Sequence, residues 1–333
     1  MSDTRNRAII EELTSLWRRV LRLPSVQLFD NFFNLGGDSS LAVVLFNEIS
    51  KHFGRDLPPV MIYQAPTIAA LAEILEAPSV PQVAPLLMLK EGSKEPPVFL
   101  AHGLGGSAID FYQVVRHMQT ERRVYGIQSA GVDRMEETLQ TIEEIAQSCL
   151  NAVRDLQPHG PYLLAGFSLG GLVVFEMARR LFEQGQRVAL LAMFEAYPHV
   201  SQLSFEQRVL IAMRMGRRKA TKLMGFPLNE TVLPTPSGNG AGASSAMQRA
   251  RDSAYHALMR YRPKSYKGTI KFVRAQITTT FPSNPMAVWG GLAKRIDVET
   301  LPGDHLGIMT AHYAKLADAL SRYLREVSLE DVG

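Results

Sequence analysis

The sequence contains little that would place the protein outside the cell or in a membrane. Cys149 is its single cysteine, so no disulfide can form within the chain, and this usage fits a reducing cytoplasm. The first seven residues are polar and mixed in charge, unlike a secretory signal. No apolar run approaches the roughly 20 residues of a membrane span. We therefore expect a cytoplasmic protein without a membrane partner.

The charge pattern is also weak. The formal net charge is +4, and no basic stripe interleaved with aromatic residues occurs, which argues against a nucleic-acid partner. With 333 residues the chain is long for one hydrophobic core. Two domains of unequal size are therefore expected.

Residues 1–76 have the periodicity of a small helical unit. Apolar residues recur every three or four positions from Ile9 to Val20, as on one buried helical face. Asp38 or Ser39 can cap a second helix, and Pro66 marks the start of a last one. Helices of this length with short loops predict a bundle.

The rest of the chain alternates strands with helices. Residues 77–96 are rich in proline and predict a linker. Over residues 97–330, short apolar runs separated by helical stretches predict a mostly parallel sheet. The alternation is broken at about 199–262 by helical segments around a Pro-, Ser- and Gly-rich stretch (234–245), which predicts a lid. The predicted strands are 98–101, 124–127, 162–167, 188–194, 269–274 and 296–301, and the helices 108–117, 141–156, 169–184 and 311–324.

Ser168 has the setting of a nucleophile. It lies in Gly-Phe-Ser-Leu-Gly (166–170), between a predicted strand and a predicted helix. Such a turn needs glycine because larger flanking side chains would collide, and the helix N-terminus adds partial positive charge. The pattern therefore predicts Ser168 as a reactive nucleophile.

The serine needs a base and an acid. His305 follows a late predicted strand and precedes the last helix, the position from which a base is delivered in this chain order. An acid should orient the imidazole. Glu195 ends the strand after the nucleophile helix, whereas Asp304 would point away and Asp297 falls within a strand. We therefore predict Ser168, Glu195 and His305 as the catalytic residues.

Two backbone N–H groups should stabilise the oxyanion. Leu169 follows the nucleophile and can supply one. The glycine-rich loop at 102–106 follows the first predicted strand, and its glycines allow close approach, so Leu104 can supply the other. Nothing in this chemistry requires a metal.

A second serine, Ser39, follows a Gly-Gly-Asp turn and by itself is consistent with a plain helix cap. The longer stretch DNFFNLGGDS (30–39) resembles the attachment motif of the acyl or peptidyl carrier domains of nonribosomal peptide and polyketide synthases. The resemblance covers residues 1–76 and implies a small four-helix-type bundle with 4′-phosphopantetheine covalently attached to Ser39. Ser40 is a rival site that the spacing from the turn disfavours.

Residues 97–326 resemble the α/β-hydrolase thioesterase domain that ends such assembly lines. The match is carried by GFSLGG (166–171), HGLGG (102–106) and GDH (303–305). The resemblance implies the nucleophile, base and oxyanion donors named above. Members of the family usually have aspartate where this chain has Glu195, and glutamate, one methylene longer, can fill the role.

Together the two regions imply an enzyme of nonribosomal peptide or polyketide biosynthesis. It would accept an acyl or peptidyl group on the arm at Ser39 and release it through acyl-Ser168, by hydrolysis or intramolecular cyclisation. An acyltransferase to a separate amine or alcohol, or an editing thioesterase, would use the same residues. A carrier and docking scaffold with an inactive hydrolase unit is the non-enzyme alternative.

The resemblance also implies partners. The chain contains no adenylation, condensation or ketosynthase segment, so we expect upstream enzymes to load the carrier in trans, or the chain to be the tail of a larger synthase. Attachment of the arm implies a phosphopantetheinyl transferase with coenzyme A.

Overall fold

The computed structural model describes residues 2–79, 83–104, 107–128, 139–213, 245–278 and 281–327. These residues form two units, one up to Leu87 and one from Met88 onward. Within them, no helix combines the length and apolar character needed to cross a bilayer.

The first unit is a helical bundle. Its elements are α1 (Ser2–Leu21), α2 (Ser39–Phe53), a 3-10 helix (Pro59–Tyr63) and α3 (Ile68–Glu76). Trp17 on the apolar face of α1 packs edge-on against Phe32, with ring centroids 5.2 Å apart, and both rings are fully buried. The predicted bundle is confirmed, with one 3-10 helix among its four helical elements.

Side chains close the helix ends in this unit. Oδ1 of Asp38 accepts the N–H of Leu41 at 2.9 Å, so Asp38 rather than Ser39 caps α2. Where α3 ends, Nη1 of Arg55 donates to the carbonyl oxygen of Ala77 at 2.6 Å. Both contacts satisfy backbone groups that have no partner within their helix.

The second unit is built on a seven-stranded sheet with the spatial order β1-β3-β2-β4-β5-β6-β7. Consecutive pairs from β3 to β7 in that order are parallel. The strands are β1 (Leu86–Lys90), β2 (Lys94–Ala101), β3 (Arg122–Ile127), β4 (Tyr162–Phe167), β5 (Val188–Phe194), β6 (Tyr266–Ala275) and β7 (Ala293–Leu301). The described helical segments are Ala108–Phe111 (3-10), α4 (Tyr112–His117), α5 (Ile142–Leu156), α6 (Leu169–Glu183), Val200–Gln202 (3-10), α7 (205–213), α8 (Ser245–Arg260), α9 (Met286–Trp289) and α10 (Tyr313–Glu326).

Burial explains why the central strands are short apolar runs. Every residue of β4 is buried, and so is the C-terminal part of β5, because helices cover both faces of the sheet. The parallel arrangement brings the carboxyl ends of the strands to one edge. The loops after β2, β4, β5 and β7 therefore start close together, and they carry the predicted catalytic and oxyanion residues.

The start of the second unit differs from the prediction. Strand β1 and the first residues of β2 lie within residues 77–96, the stretch predicted as a linker. The second half of that stretch is therefore sheet. Proline content does not distinguish a linker from a strand in this stretch, because Pro96 itself lies within β2.

The predicted insertion at 199–262 contains α7 and α8. The residue after α8, Tyr261, is buried and donates its hydroxyl to Oε2 of Glu176 on α6 at 3.2 Å. Glu176 also binds Arg179 and Arg180. This network anchors the end of the insertion to α6. All but the last residue of the stretch at 234–245 lies outside the described residues, so the lid stays a prediction.

Candidate active site

Ser168 lies in a strained turn between β4 and α6. Its φ is 53°, in the left-handed region that residues other than glycine rarely occupy. Its N–H donates to the carbonyl oxygen of Phe194 at 2.9 Å, which ties the turn to the end of β5. A residue held in such a conformation by its surroundings is typical of functional positions.

Close backbone approaches explain two glycines around the serine. A side chain at Gly170 would collide with the carbonyl oxygen of Ala101, where β2 ends. A Cβ at Gly103 would lie 3.0 Å from Cδ1 of Phe167 and 3.4 Å from Cβ of Ser168. The loop after β2 therefore lies directly beside the serine.

Glu195 directly follows β5 and is held by β6. Its φ is 46° and only 1% of its surface is exposed. Its N–H donates to the carbonyl oxygen of Val273 at 2.8 Å, and its Oε1 accepts the N–H of Ala275 at 2.6 Å. Two groups of the neighbouring strand thus fix the backbone and one carboxylate oxygen of Glu195.

The other carboxylate oxygen faces His305. This histidine lies in the loop between β7 and α10, with 7% of its surface exposed. Its Nδ1 is 3.5 Å from Oε2 of Glu195 and has no hydrogen bond within the described part of the chain. The carboxylate therefore lies on the Nδ1 side of the ring, which leaves Nε2 for proton transfer.

The rival acids are engaged elsewhere. Oδ1 of Asp304 accepts the N–H of Gly307 at 2.7 Å and stabilises the loop. The carboxylate of Asp297 is 3.2 Å from Nζ of Lys271. Of the three acids considered from the sequence, the structure thus brings Glu195 to the imidazole.

The imidazole of His305 packs against two phenyl rings. Its centroid is 4.7 Å from that of Phe167 and 4.6 Å from that of Phe281, with planes inclined by 32° in each pair. Phe281 in turn stacks on Tyr197 at 5.4 Å. The sequence pattern gives Phe281 no role, because its contact with His305 depends on the path of the loop between β6 and α9.

The predicted oxyanion donors lie on segments next to the serine. Leu169 is the first residue of α6, where N–H groups have no acceptor within the helix. Leu104 follows Gly103 in the loop beside Ser168. Residues 105 and 106 of this loop lie outside the described part of the chain.

His102 lies at the start of this loop, bonds to its backbone and was not singled out by the sequence pattern. Its Nδ1 donates to the carbonyl oxygen of Gly103 at 2.8 Å. Burial lowers the pKa of His102, against the opposing effect of that hydrogen bond, so the ring is neutral near pH 7. The signal in the sequence is its position between a buried strand and the glycine-rich loop.

The predicted attachment serine begins α2. Ser39 is the first residue of this helix, and the next residue, Ser40, is exposed. Gly36 has a φ of 92°, and the backbone of Gly37 lies so close to the ring of Phe32 that no side chain would fit. The two glycines thus allow the turn that leads into α2.

The described residues contain no candidate metal cluster and no reactive thiol. No group of three or more His, Cys, Asp or Glu side chains there is arranged to hold a metal ion. The single cysteine, Cys149, is buried, and burial raises its pKa to about 12. Its thiol therefore stays protonated and packs in the core.

Two family models match the chain. Residues 96–324 match the model described as thioesterase domain, and residues 11–75 match the one described as phosphopantetheine attachment site. The first match alone covers about two thirds of the chain.

Curated relatives are much longer proteins. The dimodular nonribosomal peptide synthase of Bacillus subtilis is 33% identical over 281 residues, which are 80% of this chain and 12% of the relative. Indigoidine synthase of Dickeya dadantii is 34% identical over 177 residues, 53% of this chain and 12% of the relative. The matched part is thus about one eighth of either relative.

Solved structures give the same picture of the fold. A holo four-domain nonribosomal peptide synthetase bound to AMP and glycine has a TM-score of 0.58 at 27% identity, covering 94% of this chain and 26% of that one. A thioesterase domain in covalent complex with a fluorophosphonate nocardicin G analog has a TM-score of 0.53 at 21% identity, covering 69% and 95%. The latter likeness shows the fold of the second unit.

Proposed function

The chain belongs to the thioesterase domain family and joins that domain to a phosphopantetheine attachment domain, and from this premise we propose that it releases acyl or peptidyl groups from thioesters through an intermediate on Ser168. The observation that carries the proposal is the arrangement at the strand ends. A serine in a strained turn, a buried histidine and a buried carboxylate 3.5 Å from that histidine follow β4, β7 and β5. The similarity to the nonribosomal peptide synthase named above supports a role for this release in assembly-line biosynthesis.

The first half-reaction acylates the serine. Oγ of Ser168 attacks the carbonyl carbon of the thioester while Nε2 of His305 accepts the hydroxyl proton. When the tetrahedral intermediate collapses, the carbon–sulfur bond breaks and His305 returns the proton to the leaving sulfur. The products are acyl-Ser168 and a free thiol. The carboxylate of Glu195 stabilises the imidazolium that exists between these proton transfers.

Backbone amides stabilise the negative charge on the carbonyl oxygen. The N–H groups of Leu169 and Leu104 are our candidates because both belong to segments next to Ser168. Leu169 belongs to a helix N-terminus, and Leu104 to the loop in which His102 bonds to the carbonyl oxygen of Gly103, which supports both choices. One such donor typically contributes on the order of 3 kcal/mol.

The second half-reaction frees the acyl group. His305 accepts a proton from water, or from a hydroxyl or amine of the acyl chain, as that group attacks the ester carbon of acyl-Ser168. Collapse breaks the bond to Oγ, which recovers its proton from His305. Water yields a free acid, and an internal nucleophile yields a ring. Both outcomes use the same residues.

The turn before α2 fits the attachment of an arm at Ser39. Asp38 supplies the cap of the helix, and the N–H groups at a helix start favour a phosphate. When attached, 4′-phosphopantetheine would supply the thiol that carries the acyl group as a thioester. A phosphopantetheinyl transferase with coenzyme A would attach it, and upstream synthetase modules would supply the acyl group.

A fluorophosphonate probe tests the nucleophile. Intact-protein mass spectrometry of the full chain should show one adduct, and digestion should place it on the peptide with Ser168. Ser168→Ala should abolish the adduct, whereas Ser253→Ala, a serine on α8 bonded to the carbonyl of Leu139, should keep it. An unchanged adduct in Ser168→Ala, or none in the wild type, would contradict the proposal.

The attachment site is tested separately. Incubation with coenzyme A and a promiscuous phosphopantetheinyl transferase should add the mass of the arm to the wild type and to Ser40→Ala. Ser39→Ala should gain nothing. Loss of the gain in Ser40→Ala alone would move the arm to the neighbouring serine.

A further inference from the structure

The contacts that hold the imidazole of His305 are unequal. On the side of Nδ1, the nearest oxygen of Glu195 is 3.5 Å away, and the nitrogen makes no hydrogen bond to any residue that the structure describes. One long contact at a single ring atom does not fix the plane of the ring, because the side chain can still turn about its bonds. General base catalysis nevertheless requires a defined direction of Nε2.

The ring plane is instead covered by aromatic side chains. Phe281 lies 4.6 Å from the imidazole, at an inclination of 32°. Phe281 is itself supported by Tyr197, which packs at 5.2 Å against Phe272. Phe272 is a fully buried residue of β6, so a continuous series of rings connects the imidazole to the sheet.

We propose that Phe281 is a positioning residue that keeps the imidazole of His305 in the plane from which Nε2 reaches Ser168. The inference rests on the proposed function and adds to it a residue from the loop between β6 and α9.

Phe281 can be tested more cleanly than the other ring. Phe167 ends β4 and adjoins the strained turn of Ser168, so its substitution would disturb the nucleophile itself. Phe281 is part-buried in a separate loop. Phe182 on α6 is a matched control, since it also pairs with a tyrosine, but this partner, Tyr266, begins β6 and lies at the opposite edge of the sheet from the site.

The experiment compares steady-state hydrolysis of an acyl N-acetylcysteamine thioester by the full-length variants. We expect Phe281→Leu to lower kcat about 10- to 100-fold, the range that a misplaced catalytic group produces, with KM nearly unchanged. Phe281→Tyr should restore kcat because it keeps the ring. Phe182→Leu should match the wild type. Phe281→Met, of similar volume, replaces the leucine variant if circular dichroism shows that the latter is unfolded.

Two results would overturn the inference while leaving the proposed function intact. One is a folded Phe281→Leu with wild-type kcat, and the other is a loss that Phe281→Tyr does not restore. A wild type without turnover or labelling of Ser168 would instead count against the proposed function. In that case the ring proton resonances of His305 still decide the matter. They should move in Phe281→Leu and not in Phe182→Leu, and unmoved resonances would refute the contact.

Discussion

Shortening Glu195 to aspartate should break a bridge between two fixed groups. In the structure, Oε1 lies 2.6 Å from the N of Ala275 and Oε2 lies 3.5 Å from Nδ1 of His305. Glu195→Asp retracts the carboxylate by about one carbon–carbon bond, roughly 1.5 Å. It cannot then reach both groups, although aspartate is the residue that members of the resembled family usually have at this position.

Whether Glu195→Asp lowers the reaction rate or the folding stability depends on which of the two contacts is lost. If aspartate keeps the bond to Ala275, its distance to the imidazole grows to roughly 5 Å, and misplacement of this order lowers the rate about 10- to 100-fold. If it turns to the imidazole, the buried N–H of Ala275 loses its acceptor, which costs about 1–3 kcal/mol of folding stability. Either way the variant should be worse than the wild type in one of two measurable properties.

Glu195→Gln is the matched variant because it keeps the length and removes the charge. It can still accept the N–H of Ala275 but cannot stabilise the imidazolium, so we expect a loss of about 10³- to 10⁴-fold. The assays are the rate of fluorophosphonate labelling of Ser168 and urea denaturation of each variant. An aspartate variant that equals the wild type in both rate and stability would refute the bridging role of Glu195.

Three further predictions concern the frame around the site. Gly170→Ala should destabilise the second unit by about 3 kcal/mol, because the added methyl group would collide with the backbone of Ala101. Urea denaturation measures this loss. Unchanged stability would show that the turn has room for a side chain. Burial raises the pKa of Glu176, but hydrogen bonds from Arg179 and Arg180 outweigh it and lower the pKa below 4.5. The ionised carboxylate therefore stabilises the fold above that pH. The difference in free energy of unfolding between the wild type and Glu176→Gln should shrink as the pH falls further. A difference that grows at low pH would contradict the lowered pKa. Arg55→Met removes hydrogen bonds to the end of α3 and should lower the stability of the first unit by about 1–2 kcal/mol. Amide exchange at the end of α3 should become faster, while thioester hydrolysis should not change. Equal exchange rates in the variant and the wild type would show that these bonds contribute nothing.

The elements predicted from the sequence are those with a strong periodic or apolar signal. Strand β4 and helix α6 lie within one residue of their predicted bounds because an entirely buried strand and a long amphipathic helix leave little ambiguity. Strand β1 is not predicted, since its short run Leu86–Lys90 follows several prolines that also suit a linker. The 3-10 helix at Pro59–Tyr63 lacks the repeat length that periodicity requires.

The residues of the candidate site also divide into those with a local signal in the sequence and those without one. Ser168, His305 and Glu195 each directly follow a strand or lie in the loop after one, so position along the chain identifies them. The N–H of Ala275 and the ring of Phe281 come from the end of β6 and the loop beyond it. Their contacts with Glu195 and His305 join segments that are far apart in the sequence, so only the three-dimensional packing of the strands and loops defines them.

The proposed mechanism requires the acyl group to pass through a covalent bond to Ser168, with His305 as the base. The most direct measurement is rapid acid quenching of the full chain during turnover of an acyl N-acetylcysteamine thioester, followed by peptide mass spectrometry. We expect an acyl adduct on the peptide with Ser168 in the wild type and none in His305→Ala. Turnover with Ser168 unmodified at every time point, or an adduct formed as fast without the imidazole, would contradict it.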